Sequence, residues 1–219
     1  MCFGDQYILE SIARNVHIVM LVICLGIAAL ADLTAAKSIS RPLSDRSLAK
    51  LNTYHRALTT GLIILWISGL MIIWLKTSFD VAQFSPKLMA KIFVVSILSV
   101  NAIVIGWLAL GTFKEHREMR FGELRFGLRL ALAVSAGLST ASWISAFCLG
   151  AIPELRTASP DLLLEVLGHI YGAGILGGLF VATFSGAANS PQNVVSPAEH
   201  LVASAITRSA WQRPVSVAL

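Results

Sequence analysis

Five long apolar runs, separated by short polar stretches, dominate the pattern of hydrophobic and polar positions along the chain. They extend from about Ile12 to Ala36, His55 to Leu75, Leu88 to Phe113, Leu128 to Ala151 and Leu162 to Gly186. A helix rises 1.5 Å per residue, so about 20 residues cross roughly 30 Å of hydrocarbon, and each run is long enough. The pattern predicts an all-α polytopic membrane bundle of five transmembrane helices over residues 1–186, followed by a polar tail over 187–219. The first run is not a removable secretory signal, because it is too long, Asp32 interrupts its end, and four more runs follow. In the tail, Ser196 to Glu199 reads as a capping box with Pro197 at the first helical position. From there the tail reads either as a short amphipathic helix through Leu201, Val202, Ile206 and Ala210 or as a frayed end.

Composition agrees and removes the alternatives. Of 219 residues, 56% are hydrophobic and 13% charged, whereas soluble domains carry about a quarter charged residues. A soluble core of this length could not hide so much apolar side chain. Cys2, Cys24 and Cys148 show neither zinc-site nor covalent haem-attachment spacing.

Charge then sets orientation. Lys37, Arg41, Arg46 and Lys50 follow the first run, with Arg56 just beyond, and Lys114, Arg117, Arg120, Arg125 and Arg129 follow the third. Both connections lie on one side, and the positive-inside rule makes it cytoplasmic. The expectation is a multi-pass protein of a bacterial inner membrane with its N-terminus outside and C-terminus inside. Lys76, Lys87 and Lys91 fall on the outer side, so at least one of them has work other than topology. The segment from Phe113 to Phe126 mixes arginines with Met119, Phe121, Leu124 and Phe126, and is expected to lie on the inner headgroups. No basic cluster interleaved with exposed aromatics suggests a nucleic-acid partner.

Ionisable groups inside a membrane are costly, so each asks for a partner or a function. His17 falls roughly 7 Å below the outer surface, Glu165 roughly 6 Å and His169 roughly 12 Å, counting from the run boundaries. Glu165 and His169 are four residues apart on one helix face, and Lys91 enters the third span on the same side. Two imidazoles on different helices at similar depth suit axial ligation of a b-type haem, and also suit copper or zinc. The plain alternative is that His17 hydrogen-bonds a neighbouring helix while Glu165, His169 and Lys91 neutralise one another. Asp32 and His55 form an inner polar level, where headgroups and water beside the basic loop would solvate them. Asn101 is expected to make an interhelical hydrogen bond. The fourth run carries Ser135, Ser139 and Ser142 among alanines, and the fifth carries Gly168, Gly172, Gly174 and Gly178. Such stripes let helix backbones approach closely, or make room for a flat macrocycle.

His17 near the start of the first run, the short basic loop, the stretch from Arg56 to Trp74 ending in Ser68, Gly69 and Trp74, and Lys91 opening the third run resemble the HemJ/CopD-like superfamily of bacterial membrane proteins. The resemblance covers about the first half of the chain. It implies haem ligation by His17 and a functional role for Lys91. The tryptophan that commonly follows the first histidine in HemJ-like chains is absent here, and a fifth span is added.

The expected function is a haem-b redox protein, moving electrons or oxidising a small substrate. His17 and His169 would be axial ligands, Lys91 a propionate or substrate contact, and Glu165 a tuning or proton-handling group. A second class is copper transport along His17, Glu165, His169 and Cys24, which lies seven residues from His17 on nearly the same face. A third is an accessory subunit that binds a membrane partner, or a second copy of itself, through its small-residue faces.

Overall fold

The computed structural model describes residues 3–116 and 118–187. Cys2 and the whole tail, including the capping box at Ser196, lie outside the described residues. Five long helices make up the fold: α1 (Phe3–Ser40), α2 (Asp45–Thr77), α3 (Pro86–Glu115), α4 (Phe126–Ala151) and α5 (Pro160–Ala187). No strand occurs among the described residues. All five are long and apolar enough to cross a membrane.

The helices overrun the apolar runs that announce them, most of all at the N-terminal ends of α1 and α2. At 38 residues, α1 reaches about 57 Å. Helix-forming polar residues such as Gln6 and Glu10 carry it beyond the apolar run. The capping chemistry is local. Ser44 accepts from the Ser47 amide at the start of α2, and Ser85 accepts from the Leu88 amide at the start of α3, where Pro86 needs no amide partner. After α2 the chain reverses through two left-handed residues, Ser78 (φ 49°) and Phe79 (φ 62°). Asp80 then accepts from the Ala82 amide and starts a short 3-10 turn, Val81–Gln83.

Successive helices run antiparallel. Gln6 in α1 donates to the Leu75 carbonyl near the end of α2, and Lys87 at the start of α3 donates to the Ile152 carbonyl just after α4. One end of the bundle, the N-terminal end, therefore holds the start of α1 with the α2–α3 and α4–α5 connections. The basic end holds the α1–α2 and α3–α4 connections with the last turn of α5. Packing is tightest within α1–α2 and α4–α5; α3 lies mainly on α4, and α1 also touches α4.

The α3–α4 connection does more than rest on a surface. Phe121 and Leu124 are buried against Leu132, Ala133 and Ala182, while Met119 and Phe126 stay exposed. Arg129 near the start of α4 donates to the Gly122 carbonyl of this connection and lies against Gly186. A guanidinium is thereby set at the C-terminal end of α5, where a helix dipole favours positive charge and the last turn of α5 carries no basic residue of its own.

Candidate functional site

The backbone approach of α4 to α5 decides where space is left. A Cβ added at Gly137 would sit 2.1 Å from the Gly174 carbonyl oxygen, and one at Gly178 would sit 2.6 Å from the Ala133 carbonyl oxygen. Gly168 and Gly172 meet nothing within 4 Å. Of the glycines read from the sequence, Gly174 and Gly178 serve close packing, and the two nearer His169 do not.

With α4 and α5 drawn together, a half-open cavity of about 730 Å³ is left between them and the other helices, in the half of the bundle towards the basic end. All five helices line it, and its walls are mostly apolar: Leu58, Leu62, Leu98, Ile105, Phe113, Phe121, Trp143 and Ile170 are among them. Among the described residues, the charged or titratable side chains on its walls are Asp32 from α1 and His55 from α2. Thr140 from α4 donates its hydroxyl proton to Asp32 Oδ2 at 2.9 Å, tying α1 to α4. The His55 ring lies over Gly106, where an added Cβ would come within 2.8 Å of Nε2. A side chain at position 106 would push the imidazole away. The inner polar level read from the sequence thus lies on a cavity wall. Thr140 was missed, since a threonine in a stretch of serines and alanines carries no signal until its neighbour across the helix pair is known.

The residues predicted at the other level are arranged differently. His17 is half-buried on α1, facing α2, with Nδ1 2.9 Å from Ser68 Oγ and its ring against Gly69. Ser68 has one proton, and it is engaged by the Ile64 carbonyl at 2.8 Å. Ser68 therefore accepts from His17 Nδ1. Cys24 faces the same helix two turns on, buried against Gly61. Lys91 is within electrostatic reach of His17. Among the described residues Lys91 makes no ion pair, so the neutralisation by Glu165 is not formed.

His169 and Glu165 are both exposed on α5. His169 Nδ1 lies 2.8 Å from the Glu165 carbonyl of its own helix, an acceptor only, so here too the proton is on Nδ1. His17 and His169 sit on helices that pack on other partners rather than on each other, and neither lines the cavity. Among the described residues no three His, Cys, Asp or Glu side chains gather where they could hold a metal ion. Asn101 donates to the Ser135 carbonyl at 2.9 Å, the interhelical bond its position predicts, and Trp66 donates to Ser99 and Ser142 pairs with Tyr171 in the same manner. No protein-family model, curated protein or solved structure matches the chain.

Proposed function

We propose that this chain is a multi-pass protein of a bacterial inner membrane, its basic end cytoplasmic, that binds a small and mostly apolar molecule in the cavity between its helices. The observation that carries this reading is the cavity: about 730 Å³, with apolar walls from five helices and polar groups limited to a few, chiefly Asp32, His55 and Thr140. Small-molecule sites run from roughly 300 to 1,000 Å³ and combine apolar lining with a few polar groups that fix orientation. A half-open cavity at this depth would be filled from the bilayer. Native mass spectrometry of the full chain released from mild detergent tests it. The wild type should carry a co-purifying small-molecule adduct, and Ala102→Phe, which fills the wall where Ala102 lies, should lose it while remaining monodisperse and helical. Equal adducts on both proteins, or none on either, would overturn the reading.

A redox protein built on b-type haem is the second reading, favoured by the donor chemistry of two side chains. His17 and His169 each have Nδ1 engaged by a hydrogen bond, the kind of contact that orients an imidazole for a metal. Lys91, without an anionic partner among the described residues, suits a propionate. The haem would supply one-electron transfer, and His17 or His169 would bind it from one side, since the two lie on helices that pack on other partners. The absorption spectrum of the purified protein decides the matter. A Soret band lost in His17→Ala or His169→Ala supports this reading, and a wild-type protein without such a band removes it.

A further inference from the structure

Resting on the cavity-binding reading, we infer that the ligand is a lipophilic monovalent organic cation whose positive centre pairs with Asp32. Among the described residues Asp32 is the only carboxylate on the cavity wall, and no lysine or arginine lines it. The other titratable group facing the cavity is His55 of α2; α3, α4 and α5 contribute none. Thr140 satisfies Oδ2, and among the described residues no donor reaches Oδ1.

A carboxyl in an apolar setting stays ionised only beside a counter-charge, and the walls supply one hydroxyl and no cation. The missing charge is one the ligand can bring. An anionic ligand would bring no counter-charge to this carboxyl and would be repelled by its ionised form. A bare inorganic cation would need about six oxygen ligands to replace its water, and the wall offers the Asp32 carboxylate and a few hydroxyls. A cation that carries its own apolar groups fits both parts of the site. Its hydrocarbon meets the leucine and isoleucine walls, and Trp143, Phe113 and Phe121 offer aromatic surface that favours positive charge.

The test compares two probes of one shape and opposite charge, tetraphenylphosphonium and tetraphenylborate, by equilibrium binding to the full wild-type chain in non-ionic detergent. Saturable binding of the phosphonium with none of the borate is the expected result. Asp32→Asn should weaken phosphonium binding ten-fold or more, the loss expected when one partner of a desolvated charge pair is removed. Asp32→Glu should hold it within a few fold. Equal binding of both probes, or an Asp32→Asn protein that binds the phosphonium as the wild type does, overturns the cation assignment and leaves the cavity reading standing. So does a chain that binds neither probe yet keeps an adduct sensitive to Ala102→Phe. A chain that shows neither probe binding nor an adduct sinks both. Should Asp32→Asn fail to fold, the two-probe comparison on the wild type alone still decides.

Discussion

Where α1 meets α2, side chains make the contact: His17 on Ser68, the Cys24 thiol on Gly61, and Lys76 with Glu10 at 3.2 Å near the N-terminal end. Where α4 meets α5, backbone meets backbone, with Gly137 against Gly174 and Gly178 against Ala133. The pairs differ in length, 38 and 33 residues against 26 and 28, and all four helices are apolar enough to cross a membrane, yet they solve the association of helices in opposite ways. In a bilayer, burying apolar side chains gains little, since lipid tails are as apolar as leucine; van der Waals contact and interhelical hydrogen bonds must do the work. Small residues provide the first in α4–α5, and His17 with Ser68 provides the second in α1–α2. The consequence is spatial. Backbone contact leaves no void between α4 and α5, so the cavity opens where these two face α1, α2 and α3.

Substitutions can break this contrast in order of effect. Gly137→Ala should be the most damaging, costing about 3 kcal/mol or more in reversible unfolding, because its Cβ would strike a carbonyl that only a shift of the whole helix can move. A cost under about 1 kcal/mol would mean the two backbones are further apart than the structure has them.

Gly61→Ala should cost about 2 kcal/mol, since the new Cβ would fall 2.2 Å from the Cys24 sulfur. Here the obstacle is a side chain, and Cys24→Ala in the same protein should recover at least about 1 kcal/mol as a coupling energy. Additive effects in that double-mutant cycle would contradict side-chain packing in α1–α2.

Asn101→Leu, which removes one bond between α3 and α4, should cost only about 0.6 kcal/mol, the average for interhelical hydrogen bonds in membranes. Last, Gly168→Ala meets nothing within 4 Å and should be neutral or stabilise by up to about 1 kcal/mol through helix propensity. Destabilisation there would show that the glycine beside His169 is packed against a partner or ligand.

Several of these contacts could be anticipated from residues alone. Asn101 in mid-span asked for an interhelical partner and has one in Ser135. The glycine and alanine stripes asked for close approach, though nothing in their spacing distinguished Gly174, which touches Gly137, from Gly172, which touches nothing. His17 lies in the outer leaflet and Lys91 enters its span from the same side, and the fold brings them within electrostatic reach. His169 and Glu165 were grouped with them by side of the membrane, but these two are exposed on α5, which among the described residues packs mainly on α4. Depth follows from counting along an axis. Direction around that axis does not.

The sequence by itself determined that there are five helices, where their apolar cores begin and end, and that the basic residues gather in two connections at one end. It could do so because length and hydropathy are summed along the chain, one segment at a time. Only the tertiary structure decided which face of each helix meets a neighbour. That choice put Asp32, His55 and Thr140 around one cavity, turned His17 onto Ser68, and left His169 outside. The physical reason is that helices apolar on all sides carry almost no directional signal: lipid and protein interior accept the same side chains. Rotation is then set by shape, by glycines that admit a neighbouring backbone, and by the few polar groups that must find one another.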